Sequence, residues 1–481
     1  MKNVCYVRAA SLFLCAAVVL TGCENPGESE TQYIRVSDAA CTFKGMDNQP
    51  VTIEVYSSPT AWDVEALASW VTIAGETETS FTIQVADNES DEERMAQVIV
   101  TAGKAEKTID IIQVAKDYTF PRYRFMSQFQ YGTPMSPTGK WAGGFYSVSE
   151  DGVLNQFAVI IDVATDEWKE LGPYPYELFT LYQTMCISDN GELFIATESD
   201  ATVMFDLDGN YVEIEAPAGY TGNPSISQVS SEGVWVGWCS RNGTSCPLKW
   251  VDGVVEELSL PELNYRGEEI GNVQARGISA DGRIIYGTTW DNLDFGMVYW
   301  DETGTVRYVG EDVHKLTPVE RPDGYGGTYD YNLANGMWTT ATNTNVSPNG
   351  KWIAGTYREE SLSDDGQEVY ESNWPAFYNT ETHKTVIFTE LSGGGGVSAT
   401  SDGIGFTADS TFGPSSGYVV DIENGVVLGS AVEWIESEYG LLVPSGYITY
   451  MPESKDRFLG AALWSGGGTL EGVNWYVGPE R

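Results

Sequence analysis

One serine in the chain has the spacing of a catalytic nucleophile. Ser415 lies in Gly413-Pro-Ser-Ser-Gly417, and Gly-x-Ser-x-Gly is the spacing that places a reactive serine on a sharp strand-to-helix turn. The histidine base follows the serine in that arrangement, whereas the only two histidines here, His314 and His383, precede it. No helical pattern surrounds the segment. We therefore interpret it as a loop.

The sequence contains few candidate residues for other kinds of catalysis or for metal binding. Two histidines, with no Cys-x-x-Cys or His-Glu-x-x-His spacing, leave few ligands for zinc. A glycosidase or lyase needs only two carboxyl groups, so with 69 Asp and Glu a carbohydrate-active enzyme stays an alternative. Calcium is the one cofactor kept open, at Asp206-Leu-Asp-Gly-Asn210, but the downstream Glu of a calcium loop is missing. We predict a hairpin turn there and favour a non-catalytic protein.

The charge of the chain limits its partners. The chain carries 69 acidic against 26 basic residues, a formal net charge of −43. A surface this acidic repels phosphate backbones and anionic lipid headgroups, so we expect no nucleic-acid partner. Polyanionic glycans are also disfavoured unless a divalent cation bridges them.

Residues 1–22 have the parts of a secretory signal peptide. Lys2 and Arg8 are followed by an apolar stretch, 9–20, that is too short to cross a bilayer as a helix. Leu20-Thr-Gly-Cys23 resembles the lipobox of bacterial lipoproteins, which implies that Cys23 carries the lipid anchor. Residues 23–31 then form an acidic, flexible tether. This tether resembles the surface-export signal of Bacteroidetes lipoproteins, which implies an outer-membrane lipoprotein exposed at the cell surface and held to the membrane through its lipid alone.

Four further cysteines remain after this segment. Cys239 and Cys246 flank a short polar loop that could fold back, and an exported protein permits a disulfide between them. We hold that disulfide and two free thiols as equal alternatives. Cys41 and Cys186 lie in strand-like runs and are predicted to be buried thiols.

Residues 32–116 form the first predicted domain. Apolar and polar residues alternate in 81–85, 96–100 and 108–113, as they do in half-buried strands. Four landmarks resemble a BACON module (Bacteroidetes-associated carbohydrate-binding, often N-terminal): Ser69-Trp-Val-Thr-Ile73, the turn at Asn88, Arg94 before Ala96, and Ile111-Ile-Gln113. The resemblance implies an immunoglobulin-like β-sandwich and carbohydrate binding. Because Trp70 begins an alternating strand, we predict that it plugs the core and that the module is a spacer.

Residues 117–481 repeat a short pattern of a serine, a turn with Asp, Asn or Gly, and an apolar strand. Copies begin at Met135, Ile187, Val229, Ile278 and Val346, with weaker ones at Ser398 and Met451. Their spacing suits a four-stranded propeller blade, and only a closed ring of such units buries its faces. We predict an all-β chain ending in a β-propeller of seven blades, with six and eight as alternatives, sealed by the strand at 123–129. The repeat resembles those of TolB-like and WD-type propellers, which implies the fold and no activity.

The loops after each second strand and between blades share one face of such a propeller, opposite the serine turns. They are rich in aromatic residues, and we predict as ligand-binding residues Trp238, Trp290, Tyr325, Tyr329, Tyr331, Tyr357, Tyr370 and Trp374. Aromatic rings beside polar groups suit sugars, and Tyr and Trp also anchor protein interfaces. We therefore predict a surface protein that binds glycans or glycan-bearing proteins, with a scaffold for another envelope or host protein as the alternative.

Overall fold

The computed structural model describes most of the chain after residue 32. The described residues are 33–113 (without 38–39, 44, 47, 49 and 91–93), 123–126, 133–150, 153–174, 185–196, 202–289, 296–323, 325, 327–339, 346–410, 416–443, 446–466 and 469–479. Cys23 and the predicted signal peptide and tether lie outside them, as do Trp290 and Ser415.

Eight strands form a β-sandwich at the N-terminal end. They are β1 (Tyr33–Val36), β2 (Ala40–Phe43), β3 (Val51–Ser58), β4 (Asp63–Ala66), β5 (Val71–Ala74), β6 (Ser80–Val85), β7 (Arg94–Ala102) and β8 (Ala105–Gln113). Two four-stranded sheets have the orders β1-β3-β6-β5 and β2-β8-β7-β4. Alternate residues point inward, so β6 buries Phe81, Ile83 and Val85 against the facing sheet. Cys41 is a buried free thiol in this core.

After the sandwich the described residues form β9 (Tyr123–Met126) and then seven sheets in chain order. Sheet 1 has β10 (Trp141–Glu150), β11 (Val153–Asp162) and β12 (Glu167–Tyr174), and sheet 2 has β13 (Cys186–Ile187), β14 (Leu193–Ala196), β15 (Thr202–Phe205) and β16 (Tyr211–Glu213). Sheet 3 has β17 (Ser225–Val229), β18 (Trp235–Arg241), β19 (Thr244–Val251) and β20 (Val254–Glu257), and sheet 4 has β21 (Val273–Ile278), β22 (Ile285–Thr289), β23 (Met297–Trp300) and β24 (Val306–Tyr308). Sheet 5 has five strands: β25 (Lys315–Pro322), β26 (Thr328–Trp338), β27 (Trp352–Leu362), β28 (Val369–Asn379) and β29 (Lys384–Ile387). Sheet 6 has β30 (Gly395–Ala399), β31 (Ile404–Ala408), β32 (Tyr418–Asp421) and β33 (Val426–Ser430), and sheet 7 has β34 (Tyr447–Tyr450), β35 (Phe458–Gly466) and β36 (Thr469–Val477).

The sheets close into a ring. Each sheet shares an apolar core with the next, as Phe145 and Ile160 of sheet 1 do with Leu193 and Phe205 of sheet 2. The last such core joins sheet 7 back to sheet 1. Sheets packed face to face around a closed ring form a β-propeller.

Strand β9 completes sheet 7, as the sequence predicted. It pairs antiparallel with β36, from Tyr123 opposite Val477 to Met126 opposite Asn474. The fourth strand of the last sheet therefore comes from the N-terminal side of the propeller. This pairing covers the edge of β36, so that β9 is the outer strand of sheet 7 and ties the two ends of the propeller together.

The repeated serine explains the sequence pattern. Ser347 is fully buried, and its Oγ accepts a hydrogen bond from the backbone N–H of Trp352 at 2.9 Å. Gly350 closes the turn at φ +75°, a backbone conformation that favours glycine. In sheet 6 the same role belongs to Thr400, whose Oγ1 accepts from the N–H of Ile404 at 3.0 Å. The other copies begin one residue before the hydroxyl, so the predicted copy at Ser398 was set one residue too early and should begin at Ala399.

One α-helix is found in the described part of the chain. Helix α1 (Ala431–Tyr439) begins at the capping box of Ser430 and Glu433, ends at Gly440 with φ +62°, and buries Ile435 between sheets 6 and 7. No helix within the described residues is long and apolar enough to cross a membrane.

Candidate functional site

The hairpin of β27 and β28 projects from the ring. Its eleven strand pairs run from Trp352 opposite Asn379 to Leu362 opposite Val369. Residues 352–356 are buried in the ring, whereas most residues from Tyr357 to the turn are half-buried or exposed. Strand β29 pairs only with the last four residues of β28, so the outer half of the hairpin stands beyond it. The projecting end lies opposite the serine turns, on the face predicted to bind ligand.

A second hairpin, of β25 and β26, lies beside the first. Its pairs run from Lys315 opposite Asn335 to Pro322 opposite Thr328, and Asp323 Oδ1 holds the connecting turn by accepting from the N–H of Tyr325 at 2.7 Å. Tyr325, Tyr329 and Tyr331 were predicted to lie in loops, and for Tyr329 and Tyr331 this is wrong, because both are in β26. The alternating Tyr329, Tyr331 and Leu333 are the strand signal that was missed.

A buried ion pair holds the two hairpins to the ring. Arg266, in the connection before β21, donates through Nη2 and Nη1 to the two carboxylate oxygens of Glu360 in β27, at 2.6 and 3.0 Å. The Glu360 side chain is 1% exposed, and it also accepts from the N–H of Ala334 in β26 at 2.9 Å. Arg266 further donates to the carbonyl of Asn332 at 3.0 Å. This network, which we call the latch, joins three segments distant in sequence.

The latch occupies one face of the projecting hairpin. Because side chains alternate along a strand, Arg358 and Glu360 point to the same face of β27, and Tyr357 and Glu359 to the other. Arg358 lies over the ring of Trp338 at 4.6 Å and donates to Glu371 at 3.2 Å. At the tip, Arg321 of β25 donates to the carbonyl of Gln367 at 2.6 Å. The β25–β26 hairpin therefore covers this face.

The opposite face carries three of the predicted aromatic residues. Tyr357 and Trp374 are directly opposed across the two strands, with ring centroids 6.1 Å apart and planes 30° from parallel. Tyr370 lies farther out, opposite Ser361, and is 54% exposed. We call Tyr357, Trp374 and Tyr370 the aromatic strip.

Hydroxyl and carboxylate groups lie among the rings of the strip. Glu359, Ser361 and Ser372 share its face and are exposed. The Tyr357 hydroxyl donates to Glu359 Oε1 at 3.1 Å. Burial and the neighbouring Glu359 raise the pKa of Tyr357 to about 12, so the phenol remains a hydrogen-bond donor at neutral pH.

The other predicted aromatic residues do not join the strip. Tyr329 and Tyr331 pack beside Arg321, whose guanidinium lies 5.8 and 4.9 Å from their ring centroids. Tyr325 lies at the tip of its hairpin and is 82% exposed. Trp238 is in β18 of sheet 3, half-buried, with the guanidinium of Arg276 4.8 Å from its ring. Trp290 lies outside the described residues.

The latch leaves no recognisable pattern in the sequence. Arg266 and Glu360 are 94 residues apart, and neither lies in a motif. A single charged residue in a strand is usually solvent-exposed, so its burial here follows only from the fold. The placement of Tyr357, Tyr370 and Trp374 in loops was also wrong in detail, because the strands that carry them are longer than those of the other sheets.

Trp70, the tryptophan among the landmarks of the sandwich, packs within the sandwich itself. Trp70 is half-buried and packs against the sandwich core, with the Arg94 guanidinium 4.4 Å over its ring. Arg94 also donates to Gln113 Oε1 at 2.9 Å and to the carbonyl of Ala86 at 2.5 Å. These residues, which carried the sequence resemblance, therefore hold strands and a loop together. Trp70 is a partial core residue, less buried than predicted.

Of the two equal alternatives for Cys239 and Cys246, a disulfide or two free thiols, the structure has the free thiols. The two residues are directly opposed in β18 and β19, yet both are free thiols. Cys239 Sγ donates to the carbonyl of Gly222 at 2.9 Å, and Cys246 Sγ to that of Thr244 at 3.7 Å, so each sulfur points to a different backbone oxygen. Burial raises the pKa of both thiols, which disfavours the thiolate needed for oxidation.

Metal ligands are not assembled in the described part of the chain. No group of three His, Cys, Asp or Glu side chains there is placed to hold an ion. The segment from Asp206 to Asn210 forms the predicted turn between β15 and β16. Asp206 Oδ1 accepts from the N–H groups of Asp208 and Asn210, both at 2.9 Å, so the turn itself uses this oxygen.

The chain is thus nearly all β, with a sandwich followed by a propeller. Residues 60–114 match the BACON family, described as "Putative binding domain, N-terminal". No curated protein sequence matches the chain.

Several solved structures match about three quarters of the chain at low identity. Hydrazine synthase of Kuenenia stuttgartiensis is 14% identical, with 74% of this chain and 97% of that chain covered and a TM-score of 0.39. The Dos1 propeller is 13% identical, with 74% and 94% covered and a TM-score of 0.37. The polysaccharide lyase Uly1 is 10% identical, with 73% and 92% covered and a TM-score of 0.39. Similarities of this size carry no argument about activity.

Proposed function

We propose that this chain is a non-catalytic surface lipoprotein that binds glycans, free or on glycoproteins, through the aromatic strip. The observation that carries the proposal is the pairing of Tyr357 with Trp374 on the exposed face of a projecting hairpin, with Tyr370 farther out. Sugar rings stack their apolar C–H faces on aromatic rings, and their hydroxyl groups bond to polar groups at the ring edges. Ser361, Ser372 and Glu359 supply such groups on the same face.

The rigidity of the hairpin supports a binding role. A buried ion pair, a stacked arginine and the Arg321–Gln367 contact fix its covered face. A surface already ordered before the ligand arrives loses less conformational entropy on binding.

Anchoring and location are part of the proposal. The sequence of residues 1–31 supports export, lipid attachment at Cys23 and display on the outer membrane. The sandwich then serves as a spacer, since Trp70 packs on its core beneath Arg94.

Binding of the soluble chain from Gln32 onward to a panel of neutral and acidic glycans, with and without calcium, tests the proposal. We expect a hit that Trp374→Ala weakens at least about tenfold, or about 1.4 kcal/mol. Tyr325→Ala is the matched control, because it removes an exposed tyrosine from the neighbouring hairpin and leaves the strip intact.

If the folded chain bound no glycan of the panel, glycan binding would be refuted, and a protein partner for the same face would be favoured. Release of new reducing ends from a bound polysaccharide would instead show an enzyme.

A further inference from the structure

The charges around the aromatic strip are distributed unequally. Within the strip face of β27 and β28, Glu359 is the charged side chain, and the turn beyond adds the exposed Asp364, Asp365 and Glu368. The strip therefore presents negative charge to any molecule laid along it.

Among the described residues, three arginines near the hairpin are directed to its covered face or its tip. Arg358 is bonded to Asn373 and Glu371, and Arg266 is held by Glu360. Arg321 donates to the carbonyl of Gln367 at the tip. A carboxylate or sulfate on the strip would meet Glu359 without a compensating cation from these three arginines, so an anionic glycan would be repelled.

The strip is also longer than a single sugar ring. The Tyr357–Trp374 pair and the Ser361–Tyr370 pair are four residues apart along the strands, which corresponds to roughly 13 Å. The exposed Ser372 lies between them on the same face, opposite Glu359. Aromatic surface at both positions, with polar groups between, suits several consecutive sugar units.

We infer that the aromatic strip binds an uncharged, linear polysaccharide along its length and does not capture a chain end. The inference rests on the proposed function and specifies its ligand class. Trp374 and Tyr357 stack one sugar unit, Tyr370 stacks another farther along, and Glu359 rejects acidic chains.

The test measures affinity by calorimetry for cello-, manno- and xylo-oligosaccharides from disaccharide to hexasaccharide, with polygalacturonate as the anionic probe. Affinity for at least one uncharged series should rise at least about tenfold from disaccharide to hexasaccharide, and polygalacturonate should bind at least about tenfold more weakly than the uncharged polymer. Equal affinity for short and long chains, or preference for polygalacturonate, would overturn the inference while leaving glycan binding intact. Failure of these probes together with the whole glycan panel would instead refute the proposed function itself.

A charge reversal gives a second, independent readout. Glu359→Lys on the strip face should raise the affinity for polygalacturonate at least about tenfold. Glu371→Lys places the same charge on the opposite face of the same hairpin and should give no comparable gain. An equal gain for both variants would show that net charge, and not the strip, governs selectivity.

Discussion

Arg266 and Glu360 lie 94 residues apart in the chain, yet the Arg266 guanidinium donates hydrogen bonds to both carboxylate oxygens of Glu360, at 2.6 and 3.0 Å. The pair is shielded from water, since the two side chains are 15% and 1% exposed. It joins the connection before sheet 4 to the projecting part of sheet 5.

Removing one partner of this pair should be costly. Glu360→Gln leaves Arg266 charged and buried without its counterion, and breaking such a pair costs about 3–5 kcal/mol. Urea unfolding followed by tryptophan fluorescence should show a lower midpoint. Glu371→Gln, which removes an exposed carboxylate from the same hairpin, should change the free energy of unfolding by less than about 1 kcal/mol. Equal effects of both variants would contradict a structural role for the latch.

The repeated serine should stabilise the fold through one hydrogen bond that its side chain accepts from the backbone. Ser347→Ala leaves the N–H of Trp352 buried without its acceptor, at a cost of about 1–3 kcal/mol. Thermal unfolding measures the loss. Ser361→Ala is the control. Ser361 is an exposed serine of β27, the strand that follows the Ser347 turn, so this change should leave the unfolding temperature almost unchanged. A neutral Ser347→Ala would mean that the turn geometry alone defines the repeat.

Arg94 should stabilise the sandwich and leave glycan binding unchanged. Arg94→Ala removes the cover of Trp70 and the bonds to Gln113 and Ala86, and we expect a loss of about 1–3 kcal/mol. Glu65→Ala, at an exposed position of β4, is the control. Limited proteolysis of the sandwich and the glycan assay together check this prediction. A loss of binding with the sandwich still folded would assign the ligand to this domain instead.

Acid should weaken one contact near the seam of the ring. Hydrogen bonds from Arg457 and then Ser454 lower the pKa of Asp456 from 3.8 to about 2. A carboxyl group whose pKa is lowered by folding stabilises the folded state at any pH above its pKa in the unfolded chain. This contribution is lost as the pH falls from about 4 to about 2. Asp456→Asn should remove up to about 1 kcal/mol at neutral pH, because solvent still reaches the pair (the Asp456 side chain is 38% exposed), and should flatten the pH dependence in that window. Unfolding at several pH values, with Asp364→Asn as the exposed control, measures both effects. An unchanged acid profile would show that the Arg457 contact does not contribute.

The sequence predicted what depends on local pattern. Period-two alternation located β6 to β8, and the buried serine with its glycine turn located most of the propeller sheets, because each pattern lies within a few consecutive residues. The Ser398 copy was misplaced because a threonine at 400 makes the same bond. The latch could not be predicted, since the partner of Glu360 is chosen by the folding of the ring. For the same reason the sequence grouped eight aromatic residues, of which the fold brings Tyr357, Tyr370 and Trp374 to one surface.

The seam strand also determines how the protein would bear mechanical load. The chain enters β9 at Tyr123, at the end of sheet 7 where the serine turns lie, whereas the aromatic strip projects from the opposite face. If the N-terminus is tethered and a ligand is pulled from the strip, tension runs parallel to β9 and shears all of its pairs with β36 at once. Hydrogen bonds loaded together in shear resist rupture better than bonds peeled apart one by one. The arrangement that closes the ring would thus let the propeller hold a ligand under flow.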